Sequence, residues 1–93
     1  MGQYSVVITD EAKRDLRYWH NVGDKAILRK LDRIFQELAL HPSTGTGKPE
    51  ALRGDLSGYW SRRVNKQHRL VYEITESIVT VFVISARGHY GNS

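Results

Sequence analysis

Seven consecutive residues near the end of the chain, Ile78-Val79-Thr80-Val81-Phe82-Val83-Ile84, are apolar at every position but Thr80. Such a run predicts a central strand covered on both faces, so the rest of the chain must supply its neighbours and its cover. Two further strand-like runs precede it, Tyr59 to Val64 and His68 to Thr75, and the last run extends from Ile78 to Arg87. Polar turns at Asn65-Lys66-Gln67 and Glu76-Ser77 join the three, which predicts an antiparallel meander.

The first half of the chain reads differently. A short β-branched run over residues 4 to 9 ends in Thr9-Asp10-Glu11, a capping residue followed by acids suited to the positive end of a helix. Ala12, Leu16 and Trp19 then recur at helical spacing, and Gly23-Asp24 breaks the helix and restarts it. In the second helix Ile27, Leu31, Ile34 and Leu38 form one stripe, widened by Leu28 and Phe35, with Pro42 as its stop. A Gly-, Pro-, Ser- and Thr-rich loop from His41 to Gly58 follows, with a short strand expected near Ala51-Leu52-Arg53. The fold class is therefore α+β: an N-terminal strand and a two-helix antiparallel hairpin on a small antiparallel sheet.

At 93 residues there is room for one domain, spanning 1–93. Without cysteine, neither disulfides nor a zinc-thiolate site can support it. No basic leader and no stretch long enough to span a membrane is present, which predicts a cytoplasmic protein with no membrane partner.

The net charge of +4 is concentrated. Lys48, Arg53, Arg62, Arg63, Lys66 and Arg69 stand against only Glu50 and Asp55, and such a surface favours polyanions. Charge alone does not separate that reading from a solvated face. Strand alternation places Tyr59, Ser61 and Arg63 with Arg69, Val71 and Glu73 on a polar face, and Trp60, Val64, Leu70, Tyr72 and Ile74 on the core face. An odd-numbered turn centred on Lys66 would set Arg63 across from Arg69 with Cβ atoms ~5 Å apart, a repulsion that an anion between them would relieve. Pairing of Arg69 with Glu73 is the alternative.

Glu50, near Lys48 and Arg53, is a candidate proton acceptor or an ordinary surface ion pair. His89 has the right chemistry for proton transfer near neutrality, and Tyr90 offers a ring for stacking on a base. His20 and His41 suit helix ends, and His68 a turn-proximal strand position. Gly45-Thr46-Gly47-Lys48 fails as a nucleotide-phosphate loop, since Pro49 stands where a magnesium-binding Ser or Thr is needed. Glu50 lacks clustered ligand partners in sequence, so no metal and no other cofactor is expected. General acid-base chemistry assisted by arginines remains.

Gly47-Lys48-Pro49-Glu50, Leu56-Ser57-Gly58-Tyr59-Trp60-Ser61-Arg62-Arg63, His68-Arg69-Leu70-Val71-Tyr72 and His89-Tyr90 resemble the Txe/YoeB branch of the RelE-like toxins of bacterial toxin-antitoxin pairs. The resemblance spans essentially the full length, including Tyr18-Trp19. It implies a microbial-ribonuclease-type fold and a metal-independent endoribonuclease that cuts mRNA in the ribosomal A site. It further implies Glu50 as general base, His89 as general acid, Arg69 on the phosphate with Arg63 supporting it, and Tyr90 orienting the scissile nucleotide. Lys48 and Arg53 would contribute to RNA and phosphate binding. The implied partners are the ribosome and a cognate antitoxin of the YefM/Axe type covering the basic groove and the His-Tyr pair, and the family often forms homodimers. Gly88 and the added Gly91-Asn92-Ser93 depart from the family's usual ending. The competing readings are a binding module of the same fold without activity, or a related toxin with another target such as gyrase; a pure binder would need the cations but not the acid-base pair.

Overall fold

The computed structural model describes residues 3–85. It contains β1 (Ser5–Ile8), α1 (Asp10–Val22), α2 (Lys25–Leu38), β2 (Glu50–Ala51), a single 3₁₀ turn (Gly54–Leu56), β3 (Tyr59–Arg63), β4 (Arg69–Thr75) and β5 (Ile78–Ser85). One five-stranded sheet has the order β1-β5-β4-β3-β2. The α+β architecture and the β3-β4-β5 meander are as expected, but the sheet is mixed. β1 pairs with β5 in parallel, Ser5 opposite Ile78 and Ile8 opposite Val81. Two helices, a loop and three strands lie between those partners in the chain, so no hairpin constrains their direction. The short strand of the loop falls at Glu50–Ala51, one residue ahead of its expected place.

Local chemistry sets the helix ends as read from sequence. Thr9 Oγ1 accepts from the Ala12 amide at 3.2 Å, and Asp24 Oδ1 accepts from the Ile27 amide at 3.1 Å. Between them Gly23 takes φ 75°, a left-handed cap conformation that costs glycine little. The α2 stripe is the main source of core: Ile34 and Leu38 are wholly buried, Ile27 and Leu31 nearly so. Each such side chain contributes about 1.5–3 kcal/mol relative to exposure, and truncating Leu38 to alanine would cost about 2–5 kcal/mol. The helix stops at Leu38, four residues before Pro42, where the chain bends so that the Pro42 carbonyl accepts from the Tyr72 hydroxyl at 2.6 Å.

β5 is an interior strand, but both faces are not covered alike. Val79, Val81 and Ile84 face the helices and are wholly buried, whereas Ile78 on the other face is 43% exposed and Thr80 and Phe82 are half-buried. The helices form a layer on one side only. Phe82 is also the extra residue of a bulge, because Val83 pairs with Val71 but Val81 already pairs with Tyr72. Its ring lies 5.3 Å from that of Tyr59, on the face away from the helices.

Because β1 ends at Ile8, the last residues of β5 have no strand on that side. Side chains of α1 take its place: Asp15 Oδ2 accepts from the Ile84 amide at 2.9 Å, and the Trp19 indole donates to the Ile84 carbonyl at 3.0 Å. Both backbone groups of one residue are thereby satisfied, and the exposed strand edge is capped.

Candidate active site

The β3-β4 turn has five residues, Val64 to His68, centred on Lys66, and Asn65 Oδ1 shapes it by accepting from the amides of Gln67 and His68. Its odd length gives the register in which Arg63 stands directly across from Arg69. The Arg63 amide points the other way, to the Gly47 carbonyl at 2.7 Å, so the arginines form a pair with no hydrogen bonds between their backbones. That is the closer kind of cross-strand pair, with Cβ atoms about 4.5–5.5 Å apart. Both arginines are exposed. Among the described residues no carboxylate lies within salt-bridge distance of either, so the Arg69–Glu73 alternative is not formed.

Glu50 reaches the same face through β2. It pairs with Ser61, which in turn pairs with Val71, one row from the arginines and about 7 Å along the strands. Ser61 and Val71 are buried within this face, while Glu50 is exposed and forms no ion pair among the described residues. Lys48 sits at the arginine end, in the left-handed region with φ 51°, where the chain leaves the β2 register and Gly47 rather than Lys48 receives the Arg63 amide. A side chain at position 47 would bring its Cβ to 2.6 Å from the Arg63 carbonyl, so this approach requires glycine. Arg53 follows Leu52, whose amide donates to Tyr59, and so lies at the opposite end of β3, roughly 13 Å from Arg63. The structure thus brings Glu50, Lys48, Arg63 and Arg69 together and sets Arg53 apart. His89 and Tyr90 lie outside the described residues, which end at Ser85, the partner of Arg69 in β5.

Arg62, counted in sequence among the surface cations, is wholly buried. Its guanidinium has five N–H donors and uses all of them. Nε donates to the Tyr72 hydroxyl at 3.2 Å, Nη1 to Glu37 Oε1 at 2.6 Å and the Thr46 carbonyl at 3.1 Å, and Nη2 to the carbonyls of His41 and Thr44 at 3.0 and 2.7 Å. Of the six cations of this stretch, Lys48, Arg53, Arg63, Lys66 and Arg69 are therefore the exposed ones. Strand parity held the missing signal, since Arg62 shares the core face of β3 with Trp60 and Val64, where a cation demands buried acceptors. The Gly45-Thr46-Gly47 turn does wrap an anion, but an internal one: the Thr46 amide and hydroxyl each donate to the Glu37 carboxylate at 2.7 Å. Burial alone would raise the Glu37 pKa, yet the Thr46 donors and the Arg62 guanidinium together hold it below the usual carboxylate value. The Tyr72 hydroxyl is pushed up by burial, against an opposing effect of Arg62.

Among the described residues no three His, Asp or Glu side chains cluster as metal ligands, and no helix is long and apolar enough to cross a membrane. The arrangement offers two facing guanidiniums and, one row away, a carboxylate, none of them in an ion pair among the described residues.

Residues 8–90 match the model of the YoeB-like toxins of bacterial type II toxin-antitoxin systems. The chain belongs to that family. Toxin YoeB of Streptomyces coelicolor is 39% identical over 85 residues, covering 91% of this chain and 98% of the relative. Among solved structures, a YoeB/ParE toxin from Agrobacterium tumefaciens superposes with TM-score 0.80 at 32% identity, covering 87% of this chain and 95% of that one. YoeB of Staphylococcus aureus, solved as a dimer and in a heterotetrameric complex with YefM, superposes with TM-scores of 0.78 and 0.77 at 28% identity, covering 89% of this chain and 95% of each. This chain is accordingly a toxin of a type II toxin-antitoxin system.

Proposed function

We propose that this YoeB-family toxin is a metal-independent endoribonuclease that cuts mRNA in the ribosomal A site in the cytoplasm. The observation that carries the reading is the facing Arg63–Arg69 pair, with no carboxylate in salt-bridge distance among the described residues, and Glu50 one row away on the same face. Glu50 accepts the proton of the RNA 2'-hydroxyl as the 2'-oxygen bonds to phosphorus; Arg69, supported by Arg63, stabilises the charged phosphorane. As the bond from phosphorus to the 5'-oxygen breaks, His89 donates a proton to that oxygen, and Tyr90 orients the scissile nucleotide. Lys48 and Arg53, at opposite ends of the face, hold the RNA backbone on either side. The products are a 2',3'-cyclic phosphate and a 5'-hydroxyl.

A face with guanidiniums and few base-reading groups positions phosphate but selects little sequence, which supports dependence on the ribosome to present the substrate. Its partner in the free state is an acidic antitoxin segment, as the complex of the S. aureus relative with YefM supports, and self-association follows the dimer of that same relative.

The deciding experiment uses a purified translation system and an mRNA carrying a single 2'-deoxy nucleotide on the 5' side of the cut. Cleavage of unmodified mRNA should require ribosomes, and the deoxy substrate should stay intact. Normal cutting of the deoxy substrate, or equally rapid cleavage without ribosomes, would overturn the mechanism or the ribosome dependence respectively.

A further inference from the structure

β2 is two residues long, and the side chains of both Glu50 and Ala51 are exposed. No apolar burial holds Glu50 in place, so its position depends on backbone pairing and on how the preceding loop is anchored. The pairing is flanked by the Arg63 amide on the Gly47 carbonyl at 2.7 Å and the Leu52 amide on the Tyr59 carbonyl at 2.8 Å. The anchor lies just upstream. Three of the five acceptors of Arg62 are loop carbonyls, those of His41, Thr44 and Thr46, and Thr46 is bound again through its amide and hydroxyl, which both donate to the Glu37 carboxylate. From Thr46 only three residues lead to Glu50, and they are stiff or fixed: Gly47 against Arg63, Lys48 in the left-handed region, and Pro49 with its locked φ.

A buried ion pair is a poor way to stabilise a small domain, because desolvation offsets most of its attraction and an apolar replacement often does as well. An apolar side chain at position 62 would, however, leave the loop carbonyls without donors and the loop without a fixed course. We infer that Arg62, with Glu37 and Thr46, is a positioning device that holds Glu50 in register with Ser61 beside the Arg63–Arg69 pair. The inference rests on the reading of Glu50 as the base. Neighbouring residues of β3 thus divide the work: Arg62 fixes the loop beneath the sheet while Arg63 faces the phosphate above it.

Thr46→Val removes one hydroxyl donor to Glu37, and Thr46→Ser restores it. Amide hydrogen exchange and single-turnover mRNA cleavage on ribosomes are measured for both, each with and without Glu50→Gln. In Thr46→Val the amides of Arg63 and Leu52 should exchange at least about tenfold faster while those in β4 and the core of β5 stay protected, which localises the opening to β2. Cleavage should slow by about 10- to 100-fold with little change in the concentration giving half-maximal rate, as expected for misplacement of a catalytic group. Thr46→Ser should behave as wild type, and in the Glu50→Gln background Thr46→Val should cost nothing further. Unchanged exchange and rate in Thr46→Val overturn the inference, as does a loss that simply multiplies with that of Glu50→Gln. Full activity of Glu50→Gln alone would refute the base assignment instead, and the exchange data would still decide whether β2 is held through Thr46.

Discussion

Arg62 and Arg63 are adjacent on β3 and have opposite surroundings. Below the sheet, Arg62 is sealed from water with every N–H matched to an acceptor and its charge matched by Glu37. Above it, Arg63 faces Arg69 across the ladder with no carboxylate within reach among the described residues. A guanidinium can be buried only when its hydrogen bonds and charge are answered internally, whereas one left unanswered at the surface is available to an external anion. The same residue type is built into the fold on one face and, in the proposed mechanism, serves chemistry on the other, and side-chain parity alone decides which.

The largest effect should come from breaking the buried side. Arg62→Ala strands the Glu37 carboxylate and three loop carbonyls, a loss of about 3–5 kcal/mol of folding stability. For a domain of this size that lowers the melting temperature by roughly 15 °C or more. Thermal unfolding within a few degrees of wild type would show that the knot is dispensable. Arg69→Ala inverts the pattern. Its stability should stay within about 0.5 kcal/mol of wild type, because an exposed side chain with no ion-pair partner among the described residues is removed. Ribosome-dependent cleavage should nevertheless fall about 10²- to 10³-fold, mainly in the rate of the chemical step. Equal losses of stability and rate in both variants would erase the distinction between the faces.

Acid sharpens the comparison next. The pKa of Glu37 is lowered in the folded protein, so its contribution is fully present above the ordinary glutamate value near 4.5. It is lost as pH falls below that value through the lower folded-state pKa. Wild type should therefore lose stability over this acid window more steeply than Glu37→Gln, which begins less stable but has no carboxylate to protonate there. Urea unfolding followed from neutral pH to about pH 3 tests this, and parallel curves for the two proteins would contradict it.

Much of this contrast was legible in the sequence, and the exceptions have physical causes. The Arg63–Arg69 register was legible as the one an odd-numbered turn centred on Lys66 would give, and the five-residue turn realises it. The α2 stripe and the Thr9 and Asp24 helix starts were equally local. The parallel pairing of β1 with β5 was not, because strands joined through distant chain carry no turn to announce their direction. The bulge at Phe82 was hidden because it is a mismatch between two strands and belongs to neither alone. The acceptors of Arg62 were invisible for a different reason: three are backbone carbonyls, a group every residue carries. Gly45-Thr46-Gly47, set aside in sequence as a nucleotide-phosphate loop, does cradle an anion, and nothing local revealed that this anion is Glu37.

The smallest effect probes the open face without any enzymatic readout. Like charges directly opposite in a sheet are destabilising, so in dilute chloride Arg63→Gln should be slightly more stable than wild type, by about 0.2–1 kcal/mol. An oxyanion between the arginines removes that cost in wild type but has half a site in the variant. Millimolar sulfate, compared with chloride at equal ionic strength, should accordingly stabilise wild type by about 1 kcal/mol and the variant by less. Low concentrations matter, because at high concentration sulfate stabilises any folded protein by exclusion from its surface, and that effect would be common to both. Since the difference between the two proteins is the quantity read, neither general salt screening nor exclusion can produce it. Identical sulfate responses would mean that the facing guanidiniums do not act as one anion site, and the electrostatic part of the proposed mechanism would then have to rest on Arg69 alone.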